Sequence, residues 1–186
     1  TYDIMDTARV LQIKKAISSI EKKLAKTLGI FDKLISDHGT AIMASRSNHM
    51  HSATQTFGLK IAVYAEEFMR HIDRLEGLKS RVLNVQLAGA NGTLNSMGSK
   101  GVKTKLRFAE ELKLGYLDTF WHNARDGVTE LGQGLGLVCS SIARIGQNAA
   151  HLQSTEIKEF HEIGGRRRGQ STTLPHKNNP RSAEFT

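Results

Sequence analysis

The chain has 186 residues, enough for one ordinary domain, and its 39% hydrophobic and 24% charged residues are typical of a globular protein. No apolar run approaches the ~20 residues that span a bilayer, and a single cysteine excludes an internal disulfide framework. The net charge of +8 favours anionic partners, but only 166–168 form a run of three contiguous basic residues, and no aromatic residues alternate with the basic ones. We therefore expect a cytoplasmic protein with no nucleic-acid partner and no membrane association.

Three segments repeat apolar residues every three or four positions, which predicts long amphipathic helices. The repeats comprise Val10, Ile13, Ile17, Ile20 and Leu24, then Phe57, Ile61, Tyr64, Phe68, Ile72, Leu75 and Val82, then Val128, Leu131, Leu135, Val138, Ile142, Ile145, Ala149 and Leu152. A shorter helix is predicted at about 102–114, and both prolines of the chain follow residue 169. Repeats that average 3.5 residues predict nearly parallel or antiparallel packing, so the predicted fold is all-α, a long-helix bundle.

Glycines interrupt the third repeat, at 127, 132, 134, 136 and 146. Each costs a helix about 1 kcal/mol, so they indicate close backbone approach on a second helix face, for example by another subunit. Cys139 lies within this repeat, and we expect it to be a buried small hydrophobic residue.

The segments between the predicted helices are rich in small polar residues. Residues 39–56 and 86–101 contain many Ser, Thr, Asn and Gly residues, which predicts loops at helix ends. Such loops often carry functional sites, although helix caps and turns use the same residue types.

Four segments resemble motifs of one enzyme superfamily, in the same order along the chain. GQSTTLPHKNNPRSAE (169–184) is similar to the G-S-S-x-M-P-x-K-x-N-P signature of the fumarase/aspartase superfamily, and a glutamate follows the last proline by four residues in both. QLAGANGT (86–93) resembles its G-G-A-x-G-T loop. SRSNHMHSATQTFGLK (45–60) resembles its G-R-T-H-x-x-x-A-x-P-x-T-F-G-L-K region. TYDIMDTA (1–8) resembles the end of its T-S-x-D-x-x-D-T-A element.

Within this superfamily, the chain most resembles the 3-carboxy-cis,cis-muconate cycloisomerase branch. In that branch a P-W-H-x-x-R-D string occupies the place of Trp121 to Asp126. The adenylosuccinate lyases are the neighbouring branch, and 56–60 is similar to them as well.

The resemblance implies that 1–186 is a central helical-bundle domain, with the family's flanking N- and C-terminal domains outside it. It also implies a homotetramer with shared active sites, in which Ser171, Thr93 and Asn48 meet only between chains. The glycines of 164–180 would make this signature segment a flexible loop that closes over the substrate.

The implied reaction is an anti addition or elimination next to a carboxylate of a small polycarboxylate. A base removes a proton beside the carboxylate, and the resulting dianionic intermediate needs preorganised donors. Ser171 matches the family's serine base, and a serine can act as a base only where positive charge and N–H groups stabilise its alkoxide. Lys177 would supply the cation and Asn179 an amide donor. Glu184 matches the family's catalytic glutamate.

The substrate-binding residues implied by the resemblance are Thr1, Arg46, Asn48, Asn91, Thr93 and Arg125. Arg125 would bind a substrate carboxylate through paired hydrogen bonds, and the Thr93 hydroxyl would lie near a carboxylate. Without the resemblance, Arg125 and Asp126 are typical of a helix-surface pair, and Asn91 and Thr93 of loop caps.

The main departure from the family pattern is the general acid. The family's histidine, which pairs with the glutamate matched by Glu184, aligns with Asn48, and an amide cannot transfer a proton near neutral pH. On a helix, the neighbouring His49 would point about 100° away from Asn48. The cycloisomerase branch tolerates loss of this histidine, which favours that branch. The non-enzyme alternative is a helical scaffold that retains the signature.

The resemblance implies neither a metal nor an organic cofactor. His49 and His51 form an H-x-H pair with no Cys or carboxylate ligand nearby in the sequence, which is more typical of a loop surface than of a metal site.

Overall fold

A computed structural model describes residues 2–163 and 169–186. Its elements are α1 (Tyr2–His38), β1 (Ile42–Ser47), β2 (Met50–Thr56), α2 (Phe57–Val82), a short 3₁₀ helix (Asn95–Lys100), α3 (Gly101–Leu112), α4 (Asp126–Leu152) and the one-turn helix α5 (Arg181–Glu184). The predicted all-α fold is confirmed, and α3 lies where the shorter helix was predicted. Of the helices in the described part of the chain, none is both long and apolar enough to cross a membrane.

Two compact units make up the chain, and each is described by itself. The first contains residues up to 29 together with 68–135, and the second contains 30–67 together with 136–186. Helices α1, α2 and α4 contribute residues to both units.

The core of the first unit is built from the predicted apolar repeats. Its buried side chains are Val10, Ile17 and Leu24 of α1, Phe68, Leu75, Leu78 and Val82 of α2, Ala109 of α3, Leu131 of α4, and Val85, Ala88 and Trp121 between helices. Burying each large aliphatic side chain contributes about 1.5–3 kcal/mol, so the repeats explain why these helices form. The core of the second unit contains Phe31, Ile61, Tyr64, Val138 and Leu152.

Two α4 glycines allow close backbone approach within a unit. A Cβ atom at Gly127 would lie 2.8 Å from the Arg81 carbonyl oxygen, and one at Gly146 would lie 2.7 Å from the Ala183 carbonyl oxygen. At Gly132 and Gly136, in contrast, no described atom would lie within 4 Å of an added Cβ. The predicted close approach is therefore found at two glycines. The α4 face that carries Gly132 and Gly136 is not packed against other described residues of the chain.

The prediction of a loop over 39–56 was wrong, because β1 and β2 form an antiparallel hairpin. Asn48 and His49 form its two-residue turn, with φ of 51° and 66°. Positive φ at both turn residues matches the right-handed twist of the strands, and asparagine tolerates it well. The hairpin escaped detection because most of its residues are polar and none is buried in a core. His49 is accordingly in a turn, and the helical geometry assumed for it does not apply.

The expected burial of Cys139 was also wrong, since the side chain is exposed. Cys139 follows the buried Val138, and one residue turns the helix by about 100°, which carries Cys139 off the apolar seam.

Candidate functional site

In the first unit, the start of α1 binds the loop that follows α2. The Asp3 carboxylate accepts hydrogen bonds from the Ala88 and Gly89 backbone N–H groups, at 3.1 and 2.8 Å, and from Gln86 Nε2 at 3.2 Å. Thr7 Oγ1 donates to the Gln86 carbonyl and accepts from the Gln86 N–H, both at 3.0 Å. Because Asp3 and Thr7 are four residues apart, they share one helix face and fix this loop together.

Gln86 also fixes the segment that precedes α4. Its Oε1 accepts the Trp121 backbone N–H at 3.0 Å, and the Trp121 indole N–H donates to the Val85 carbonyl at 3.0 Å. Gln86 and Trp121 are both buried, so these bonds are shielded from water. Phe120 and His122, on either side of Trp121, are thereby held beside the loop.

A cavity of about 540 Å³ lies between these segments, within the first unit. It is lined by Tyr2, Asp3, Gln86, Ala88, Gly89, Ala90, Asn91, Gly92, Phe120 and His122. Gly89 and Gly92 have φ of 75° and 88°, and a Cβ at Gly92 would lie 2.5 Å from the Phe120 ring. Glycine at Gly92 therefore keeps the loop against Phe120 and the cavity open.

Beside the cavity, a buried carboxylate joins three basic side chains. Asp6 has no exposed surface, and it contacts Arg125, His122 and Arg9. Burial raises the pKa of this carboxyl, but hydrogen bonds from Arg125, His122 and Arg9 outweigh it, so the pKa lies below the ordinary 3.8. Asp6 is thus ionised at neutral pH.

Among the predicted binding residues of this unit, Asn91 lines the cavity. Thr93 donates its hydroxyl to Asn91 Oδ1 at 2.6 Å and lines a separate cavity of about 210 Å³. The Arg125 guanidinium binds Asp6, and its Nε donates to the His122 carbonyl at 2.6 Å. Their predicted roles toward substrate stay predictions.

In the second unit, the described part of the signature segment, residues 169–180, forms a folded loop around Ser171. Ser171 Oγ accepts backbone N–H groups from Leu174 at 3.1 Å and Thr173 at 3.4 Å. The loop closes where Gly169 accepts both the backbone and side-chain N–H of Asn179, at 2.8 and 2.9 Å. Two N–H dipoles that point at one hydroxyl oxygen would stabilise negative charge on it, as a serine base requires.

A second cavity, of about 740 Å³, lies beside this loop. Lys177 and Asn179 line it, together with His176, Asn178, Pro180 and residues of 150–161. Glu162 anchors the loop, because its carboxylate accepts the Ser182 N–H and its carbonyl accepts Asn178 Nδ2. The structure thus brings Ser171, Lys177 and Asn179 together on one loop.

The remaining predicted residues of this unit have other contacts. Arg46 donates two hydrogen bonds to Glu159, at 2.8 and 2.5 Å. Asn48 is exposed at the hairpin turn. Glu184 accepts a hydrogen bond from Arg181 at 2.9 Å in α5. In the described residues, no three His, Cys, Asp or Glu side chains form a group that could hold a metal ion.

Thr1 and 164–168 lie outside the described residues, so the predictions made for them stay predictions. Asp3, Asp6 and His122 are site residues that were not predicted from the sequence. Asp3 shares a helix face with Asp6, three residues on, and with Thr7, four residues on. His122 lies in the W-H-x-x-R-D string, so helical spacing and the motif were the available signals.

The profile of the family described as Lyase matches residues 1–186, so the chain belongs to this lyase family, as the motif resemblance predicted. It is 35% identical over 185 residues to trans-aconitate decarboxylase 1 of Mycosarcoma maydis, covering 100% of this chain and 38% of that protein. It is 35% identical over 183 residues to 3-carboxy-cis,cis-muconate cycloisomerase of Pseudomonas aeruginosa, covering 98% of this chain and 40% of that protein.

The fold is also similar to a solved structure. The crystal structure of 3-carboxy-cis,cis-muconate lactonizing enzyme from Pseudomonas putida matches with a TM-score of 0.91 and 35% identity, over 98% of this chain and 41% of that one. The chain spans about two fifths of the length of these relatives.

Proposed function

We propose that the chain is the central helical domain of a lyase or cycloisomerase that catalyses anti addition–elimination next to a carboxylate. The proposed activity is most like that of 3-carboxy-cis,cis-muconate cycloisomerase, with a small polycarboxylate substrate. The alternative activity is that of adenylosuccinate lyase or another fumarate-releasing lyase. Family membership and the named relatives support the class of reaction.

The observation that carries the proposal is the environment of the Ser171 hydroxyl. Two backbone N–H groups of its own loop already point at Oγ, and Lys177 and Asn179 follow in the same loop. Such donors lower the cost of forming a serine alkoxide. The alkoxide would take the proton beside the substrate carboxylate, and the developing dianion would be stabilised by Lys177 and Asn179.

We further propose a cytoplasmic homotetramer whose active sites combine residues from different subunits. Ser171, Lys177 and Asn179 belong to the second unit, whereas Asn91, Thr93 and Arg125 belong to the first. Assembly would supply each site with both groups of residues. The open α4 face at Gly132 and Gly136 is suited to close helix contact with another subunit.

The experiment is an ultraviolet absorbance assay of the full-length protein with 3-carboxy-cis,cis-muconate, adenylosuccinate, argininosuccinate and fumarate. We expect turnover of the first, and S171A should lower kcat at least about 10³-fold with an unchanged melting temperature. S36A removes an exposed serine of α1 and should leave kcat unchanged. Absence of turnover with all four substrates would reject the proposed class, and full activity of S171A would reject the base.

A second candidate is a catalytically impaired helical scaffold. Asn48, at the position of the family's general acid, favours it, because an amide cannot transfer a proton. A scaffold would form the same tetramer, lack turnover of every substrate in the assay, and be unaffected by S171A.

A further inference from the structure

The His122 ring is fixed on two sides at the wall of the first unit's cavity. Its Nδ1 lies 2.8 Å from Asp6 Oδ2, and its ring centroid lies 4.3 Å from that of Tyr2. His122 lines the cavity with Tyr2 and Asp3. Within 2–163 and 169–186, no hydrogen bond reaches its other nitrogen, Nε2. A ring oriented in this way presents Nε2 as a free polar group with a defined direction.

The contacts of Nδ1 determine what Nε2 can do. Nδ1 also lies 2.8 Å from Nη2 of Arg125, which is always a donor. Because an ionised carboxylate only accepts, Nδ1 carries the hydrogen of the Asp6 contact, and Nη2 of Arg125 donates to the same Asp6 oxygen. A charged ring carries hydrogens on both nitrogens and donates from Nδ1 to Asp6, whose pKa is held below its ordinary value by its hydrogen bonds. In this charged form Nε2 is a hydrogen-bond donor, whereas in a neutral ring with its hydrogen on Nδ1 it is an acceptor.

We infer that His122 is a catalytic residue that acts as an imidazolium, whose Nε2–H donates a hydrogen bond to the departing oxygen of the substrate. Asp6 and Arg125 are positioning residues that act through the His122 ring. This inference rests on the proposed function, because it requires the site of Ser171 and the cavity of His122 to face one substrate in the assembled protein.

The step balances without a separate general acid when the departing group is a carboxylate. The Ser171 alkoxide takes the proton from the carbon beside the substrate carboxylate, and the electron pair of that C–H bond forms the new double bond. The C–O bond of the lactone breaks, and its electron pair remains on the oxygen, which leaves as a carboxylate. The N–H of His122 stabilises this charge and keeps its proton. Such chemistry is compatible with asparagine at position 48.

Two variants at His122 distinguish a hydrogen-bond donor to the substrate from a residue with only a structural role. Gln reaches as far as imidazole Nε2 and can donate there, whereas Asn reaches only as far as Nδ1 and keeps the contact with Asp6. In the full-length protein assayed with the lactone of 3-carboxy-cis,cis-muconate, in the ring-opening direction, we expect H122N to lower kcat by about 10²-fold, the usual effect of removing one oxyanion donor, with KM changed less. The kcat of H122Q should be at least about tenfold higher than that of H122N. H38N, at the exposed end of α1, should match wild type.

Equal activity of H122N and H122Q, whether reduced or unchanged, would overturn the donor role. If S171A is inactive while both His122 variants keep wild-type activity, this inference fails and the proposed function stands. If wild type lacks turnover, both fail. A crystal structure of the full-length wild-type protein with the lactone tests the same contact without a variant. We expect the ring oxygen or its carboxylate form within about 3.2 Å of Nε2, and a lactone bound without this contact would overturn the inference.

Discussion

Arg125 binds the buried carboxylate of Asp6 through two hydrogen bonds, from Nη1 to Oδ1 at 3.1 Å and from Nη2 to Oδ2 at 2.9 Å. The two residues are 119 positions apart in the sequence. The pair therefore joins the start of α1 to the segment before α4, and both segments line the same cavity. A bidentate pair of this kind is geometrically specific, which makes it suited to orienting the neighbouring His122.

We predict that D6N destabilises the protein in a pH-dependent way. At pH 7 the variant should lose about 2 kcal/mol of the free energy of unfolding, because the guanidinium loses its charged partner. The folded-state pKa of Asp6 lies below 3.8, so its contribution is complete above that value and is lost as the pH falls through the folded pKa. Urea unfolding between pH 7 and pH 3 should show the difference from wild type shrinking only at the acidic end.

The matched control is D37N, which changes an exposed aspartate near the end of α1. D37N should change the free energy of unfolding by no more than about 0.5 kcal/mol. A D6N difference that is constant down to pH 3, or no larger than that of D37N, would contradict the stabilising role of ionised Asp6.

Lys105 gives a second prediction, for the segment that leads to Trp121. Its ammonium donates to the carbonyls of Leu117, Asp118 and Thr119, and the residue is only 7% exposed. Burial lowers the pKa of this amine. K105M should leave the three carbonyls without their donor and cost about 1–2 kcal/mol, measured by urea unfolding at pH 7.

K103M provides the comparison for Lys105, because Lys103 is an exposed lysine of the same helix. We expect the urea concentration at the midpoint of unfolding to be the same for K103M as for the wild type. Equal stability of K105M and K103M would show that the buried ammonium does not stabilise the 117–119 segment.

Helical periodicity predicted the fold well because apolar burial determines it. Val10, Ile17 and Leu24 recur at seven-residue spacing and are all buried, as the repeat requires. The hairpin lacked such a signal, because none of its residues is fully buried. Its strongest local cue was Asn48 at a turn position, and one residue that tolerates positive φ does not by itself identify a hairpin.

The candidate site was predictable only in part, for a similar reason. Sequence spacing located the Ser171 loop, whose contacts are local to one segment. The Asp6–His122 contact joins residues 116 positions apart, and no local pattern encodes that distance. The contact forms because the hydrogen bonds of Gln86 and Trp121 position the loop after α2 and the segment before α4.

The pairing of Arg46 with Glu159 predicts how the hairpin is anchored in the second unit. Hydrogen bonds from Arg46 hold the pKa of Glu159 below its ordinary 4.5. E159Q removes the charge, and we expect faster hydrogen exchange of the β1 and β2 amides at pH 7, because the bidentate contact is weakened. The wild-type protein should lose the same protection as the pH falls through the folded-state pKa of Glu159. E156Q, at an exposed glutamate without a described ion pair, should exchange like wild type; equal exchange in E159Q would contradict the anchor.

The open face of α4 predicts a subunit contact at Gly136. Gly136 and Gly77 are both exposed helix glycines, and no described atom would lie within 4 Å of a Cβ at either position. Leucine at each should favour the helix by about 0.8 kcal/mol, so a destabilised assembly would reflect an intermolecular clash. In the full-length protein we expect G136L to dissociate the proposed tetramer and to lose activity, and G77L to do neither. Light scattering after size-exclusion chromatography measures the assembly. An intact G136L tetramer would contradict close helix contact at this face, because a leucine side chain cannot be accommodated where two helix backbones meet through glycine.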